Sequence, residues 1–228
     1  MKNKIILFTI LTSLSFVSSA EDKLYIKKLI GVNRIEHCDI SSEKYQGKDK
    51  FKDSISLNIA IGKKLENDIR LELGLKHLTN AISKEVTDGN LEGFNDNDRY
   101  VLNHKLNASL IHLTVYKDLH NFGKFSHFVG IGGGVSINKE KVSGYVVNKE
   151  NDQEKKILDE TSSKTKYNFA YKLVTGLDFK VKEGLNLEVS YSFINLGKNK
   201  PRQINGENLT NKRNYFIHSL QAGLRYEI

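Results

Sequence analysis

Three groups of residues in this chain have types that could do chemistry. Gly130-x-Gly132-x-Gly134 resembles a phosphate-cradling loop, His104, His112 and His120 recur every eight residues, and Ser126-His127 and His218-Ser219 set a hydroxyl beside an imidazole. None meets the demands of its chemistry. A dinucleotide loop needs a strand-turn-helix setting and a different glycine spacing. Alternate glycines instead suit close packing on one face of a strand. A separation of eight is not a metal-ligand spacing. Adjacent strand residues point to opposite faces, so neither Ser/His pair can assemble, and no Ser/His/acid set forms. No catalytic, metal or cofactor residue is assigned, and no enzyme is expected.

A fourth group is charged. Arg70, Lys76, Lys172, Lys180 and Arg225 stand against Glu72, Asp178, Glu188 and Glu227, each within a stretch where every second residue is apolar. Five cations nearly cancel four anions. On the inner face of a closed sheet such charges must pair, so they read as a filling of the lumen in preference to an ion path.

The elements that would hold these residues are strands with a period of two. Eight are expected, at about 23–33, 53–63, 68–77, 100–117, 124–138, 166–181 and 185–195, with the eighth ending the chain. Ile55, Leu57, Ile59 and Ile61 oppose Ser54, Ser56, Asn58 and Ala60. Tyr167, Phe169, Tyr171, Leu173 and Leu177 oppose Asn168, Ala170, Lys172, Val174 and Gly176. The 100–117 segment is ambiguous; placing Ser109, Ile111, Leu113 and Val115 outward puts His112 inside. Lys28 interrupts the apolar face of the first strand. Short connections near 65–67, 118–123 and 182–184 alternate with long ones near 34–52, 78–99, 139–165 and 196–214. The expected fold is all-β: an eight-stranded antiparallel up-and-down transmembrane barrel with short periplasmic turns and four long extracellular loops. A periplasmic lipocalin-like barrel would reverse the facing, with apolar residues inside.

Composition agrees. Residues 1–20 read as a signal peptide: Lys2 and Lys4, an apolar run from Ile5 to Val17, then Ser18-Ser19-Ala20 before Glu21. Residues 21–228 form the barrel domain. They carry 33 basic against 27 acidic residues, short of a nucleic-acid-binding composition. Cys38, the single cysteine, falls in an expected loop and allows an unpaired thiol or an intermolecular link, but no internal disulfide.

The last eight residues, Gln221 to Ile228, keep the alternation to the carboxylate. With Gln221, Gly223, Tyr226 and Ile228 they resemble the terminal sorting signal of outer-membrane barrels, where Phe usually stands in place of Ile228. Phe128-Val129-Gly130-Ile131-Gly132 resembles the fifth strand of the small eight-stranded group that includes the OmpA membrane domain and the OmpX-type and opacity-type proteins. With its many Lys and Asn residues, the chain is most similar to the rickettsial adhesin barrels. That resemblance implies an outer-membrane location, assembly by the barrel-assembly machinery and contact with lipid and lipopolysaccharide. It also implies a surface-exposed virulence antigen that binds host-cell or serum proteins through its loops. The alternative is a structural barrel or small channel. Among the loops, 196–214 is the most basic: Lys198, Lys200, Arg202, Lys212 and Arg213 against Glu207. These five are the expected contacts for an acidic partner such as a sulfated glycan or an acidic protein segment.

Overall fold

In the computed structural model, the period-2 segments pair edge to edge until the sheet meets itself. The structure describes residues 23–39, 53–88, 98–148, 154–162, 165–199, 203–204, 207–208 and 213–228. Among these residues eleven strands form: β1 (Lys23–Asp39), β2 (Ser54–Lys64), β3 (Ile69–Asp88), β4 (Asp98–Phe122), β5 (Phe125–Asn148), β6 (Glu154–Ser162), β7 (Lys166–Lys182), β8 (Leu185–Asn199), β9 (Gln203–Ile204), β10 (Glu207–Asn208) and β11 (Arg213–Glu227). Eight of them close a ring in the order β1-β2-β3-β4-β5-β7-β8-β11, with β11 returning to β1. β6 adds to the side of β5, and β9 and β10 form a separate small hairpin. The proposed signal peptide lies outside the described residues.

The facing follows the expectation on every ring strand. Ile26, Ile30 and Val32 are exposed while Tyr25, Leu29 and Asn33 are buried. Leu113 and Val115 are exposed, and His112 and Thr114 are buried. An apolar outer wall around a polar interior is the arrangement for lipid and excludes the lipocalin-like alternative. At one end the connections are tight. Asn67 and Asp68 both take φ of 56°, which the turn between two right-twisted strands requires and which Asn and Asp tolerate. Short turns are periplasmic in barrels of this kind. Elsewhere in the wall, small residues are needed for closeness. A Cβ on Gly134 would lie 2.0 Å from the Ile111 carbonyl oxygen, and one on Gly223 would lie 2.0 Å from that of Lys28.

At the other end the strands run past the limits set by the apolar pattern. β3 and β4 stay paired to Asp88↔Arg99, and β4 and β5 to Asp98↔Asn148. A bulge between Leu78 and Ala81 marks where β3 passes from the wall into this extension. Cys38, expected in a loop, lies on β1 opposite Asn214. The extension escaped the sequence because its outer face no longer meets lipid. Without an alternating apolar row, paired backbone reads as a connection.

Candidate functional site

Two regions gather the functional groups: the lumen and the far-end extension. Within the lumen, the layer nearest the short turns is ionic. Lys27 Nζ on β1 sits 2.5 Å from Glu72 Oε2 and 3.3 Å from Glu188 Oε2. Glu72 also accepts from the hydroxyls of Tyr116 at 2.9 Å and Tyr25 at 3.3 Å. Below this, Arg70 reaches Asp118 at 2.8 Å and Asp178 at 3.2 Å, and Arg225 reaches the same Asp178 oxygen at 2.9 Å. Lys172 donates to the Tyr116 hydroxyl at 3.4 Å. The Arg70 guanidinium lies over the rings of Tyr116 and Phe128, which meet edge to face. These side chains are almost fully buried, and desolvated charges persist only when neutralised and hydrogen-bonded. A polar vestibule of about 530 Å³ at the short-turn end stops on this network, with Asp118, Asp178 and Arg225 in its lining and Lys180 at its exposed mouth.

Of the predicted lumen charges, Arg70, Glu72, Lys172, Asp178, Glu188 and Arg225 converge, whereas Lys180 is exposed at the rim; sequence reasoning missed Lys27, Tyr25, Tyr116 and Asp118. Lys27 shares the parity of the inward residues of its strand, and that signal was available. Lys76 behaves differently from the others. Among the described residues its one polar partner is Ser219 Oγ, at 2.6 Å.

Beyond Lys76 the lumen turns apolar. Ile35, Leu78, Leu106, Leu110, Ile194 and Ile217 belong to one contacting cluster drawn from β1, β3, β4, β8 and β11, with Ala170 of β7. A void of about 10 Å³ lies between several of them and Lys76, no more than room for one water. An ion crossing the barrel would have to pass the ionic layer and then this packed one. Past the cluster, His104 Nδ1 lies 2.9 Å from Glu140 Oε1, which also accepts from Tyr215 Oη at 3.2 Å.

The three histidines are dispersed. His104 joins Glu140, His112 pairs with Thr114 in the lumen at 2.9 Å, and His120 lies on β4 near the short turn. Ser126-His127 and His218-Ser219 point to opposite faces of their strands: His127 bonds Thr175 and His218 bonds Tyr191, whereas Ser219 faces the lumen. Gly130, Gly132 and Gly134 pack against β4. Among the described residues, no group of three or more His, Cys, Asp or Glu is placed to hold a metal ion.

At the far end, Lys198 is exposed at the end of β8, and Arg213 begins β11 opposite Asn199. Lys200, Arg202 and Lys212 lie outside the described residues. The extension itself comprises the ends of β3, β4 and β5 together with β6. Of the terminal residues, Gln221 is buried in the lumen, where it donates to Ser192, and Tyr226 and Ile228 are exposed on the outer wall. Gly223 meets the Lys28 backbone, and Ile228 N donates to Leu24 O at 2.8 Å.

No family profile matches the chain. It is 30% identical over 227 residues to a protein of Rickettsia bellii described as a candidate adhesin, covering 96% of this chain and 95% of that one. A Rickettsia typhi protein of the same description is 28% identical over 224 residues, covering 95% and 93%. Among solved structures, Neisserial surface protein A superposes with a TM-score of 0.52 at 16% identity, covering 90% of this chain and 97% of that one. That likeness is one of fold.

Proposed function

This chain belongs to the rickettsial family of candidate adhesins, and from that premise we propose that it is an adhesin: an outer-membrane surface protein that holds host-cell or serum proteins at its far end. One observation carries the reading. The β4–β5 ladder continues from Ser109↔Ile137 to Asp98↔Asn148, roughly 35 Å along the strands beyond the continuous apolar rows of the outer wall. A barrel that served only to fill the membrane would have no use for paired strands there. β6 is held by β5 on one side, and among the described residues its other edge is unpaired. Such an edge can take an added strand from a partner. Lys198, Lys200, Arg202, Lys212 and Arg213 supply the complementary ingredient, leaving 196–214 a net +4 after Glu207, which would steer acidic protein segments or sulfated glycans, or meet lipopolysaccharide phosphates. Residues 1–20 act as the signal peptide, and Gln221, Gly223, Tyr226 and Ile228 form the signal read by the barrel-assembly machinery. The chain works by binding and not by turnover.

The test is attachment of carrier bacteria expressing the chain to host cells, together with capture of labelled serum proteins. Replacing 140–162 by a short turn should abolish attachment while the barrel still migrates as a folded species. Changing the five basic residues to Gln should weaken attachment chiefly at low salt, because exposed charge is screened over roughly 8 Å at physiological ionic strength. If neither change alters attachment, the adhesin reading gives way to a structural barrel. The small-channel alternative is disfavoured by the packed apolar layer, and planar-bilayer conductance tests it directly.

A further inference from the structure

The outer wall carries one feature that the adhesin reading does not use. Lys28 points to the lipid side of β1 and is exposed there. Among the described residues it has no hydrogen-bond or ion-pair partner. Its direct neighbours across the sheet are Ile59 and Leu224, and the row continues through Leu75 to Ile111. The next row toward the short turns is Leu73, Ile61, Ile26, Tyr226 and Leu185. Between the two rows lies an apolar furrow of about 750 Å³ that crosses several strands and has Lys28 in its lining.

A lysine facing hydrocarbon is costly unless its charge finds a partner. Lys28 stands four residues from Leu24, which pairs near the short-turn rim. That is roughly 13 Å along the strand, or about 10 Å of height at the usual barrel tilt. The apolar stem can lie along the furrow past Ile26 while the ammonium reaches toward the level of Tyr226 and the headgroups. The other side chains of both rows offer no charge.

We propose that this furrow is a binding site for an anionic phospholipid of the periplasmic leaflet. One acyl chain lies along the furrow, and the phosphate pairs with the Lys28 ammonium. Charge complementarity selects this occupant: Lys28 is the one outward cation of an otherwise apolar surface, since the neighbouring Lys27 turns its ammonium into the lumen. Among the described residues of β1, a second copy of the barrel would bring no lipid-facing carboxylate to this depth, since the outward acid Glu36 lies near the opposite rim.

The experiment is native mass spectrometry of the purified full barrel, challenged with equal amounts of phosphatidylglycerol and phosphatidylcholine. Wild type should retain the anionic lipid about fivefold more, the worth of one lysine at an anionic surface. Lys28→Met should retain both lipids equally, and Lys28→Arg should keep the preference. Should Lys28→Met fail to fold on gels, Lys28→Gln takes its place. Lys182→Gln, at the exposed short-turn rim, should keep the preference. Three results would overturn the site: an unchanged preference in Lys28→Met, an equal loss in Lys182→Gln, or a dimer of wild-type barrels that vanishes in the Lys28 variants.

Discussion

Removing the Lys27 ammonium should be among the most damaging single changes in the barrel, although it lies inside the lumen, far from the end proposed to hold host proteins. Its Nζ is 2.5 Å from Glu72 and 3.3 Å from Glu188. At an effective dielectric of about 20 each attraction is worth roughly 5–7 kcal/mol gross. Much of that is offset by the several kcal/mol it costs to bury the ion. What decides the outcome is the state left behind. In Lys27→Met, Glu72 keeps the Tyr116 and Tyr25 hydroxyls, but Glu188 loses its ammonium partner inside a closed lumen. Breaking such a buried pair costs about 3–5 kcal/mol. The double change Lys27→Met/Glu188→Gln removes the stranded charge and should recover more than half of the loss. Urea unfolding in lipid vesicles, followed by far-ultraviolet circular dichroism, gives both numbers. Gel migration before and after boiling confirms that the barrel formed. A loss below ~1 kcal/mol, or a double variant no better than the single one, would mean that water screens the lumen and that the ionic layer does not hold the wall together.

Three further outcomes follow from the geometry. Leu173→Arg sets a charge on the lipid face and should cost ~2–4 kcal/mol near the midplane, while Lys172→Gln, on the next residue but inside, should cost clearly less in the same unfolding assay; equal costs would refute the facing. Gly223→Ala should destabilise by about 1–3 kcal/mol because its Cβ would press on the Lys28 backbone, whereas Gly133→Ala, whose Cβ has 3.5 Å of clearance from Phe169, should fall within about 0.5 kcal/mol of wild type. Deleting Tyr226 to Ile228 should leave the chain periplasmic and degraded, and Ile228→Phe should insert at least as well as wild type; cell fractionation and protease sensitivity read both.

Much of the wall was legible because lipid imposes a strict rule on it. Every second residue must be apolar, so Ile55 to Ile61 or Leu187 to Phe193 announce both the strand and its facing. The lumen obeys a looser rule, satisfied by any set of side chains that fills space and balances charge. Lys27 illustrates the consequence. Its strand was identified and its parity fixed, yet its role depends on Glu72 and Glu188, which arrive from distant strands. The apolar layer was hidden for a related reason. Near the far end both parities are apolar, as in Leu110-Ile111, Phe193-Ile194 and Phe216-Ile217, so alternation cannot say which member faces in. The extension was lost where the outer row of its strands changes to residues such as Lys105, Lys139 and Lys141, which look like loop charge when read one segment at a time.

The seam between β1 and β11 joins Tyr25 to Glu227 and Asp39 to Arg213, so the ring is sealed by the two stretches most remote from each other in the chain. Such a contact pays the largest loop-closure entropy of any in the ring and tends to form late. The wall can grow by neighbour-to-neighbour hairpins, but it acquires no finished circumference until the final strand docks. The same seam brings Leu24 and Ile228 within one hydrogen bond of each other. A short linker could therefore join Ile228 to Leu24, and the ring could be reopened at Asn67, Gly123 or Gly184 without changing which strands are neighbours. Circular permutants of this kind would keep the circumference while moving the terminal strand elsewhere, separating what the ring needs for closure from what an assembly receptor reads at a chain end.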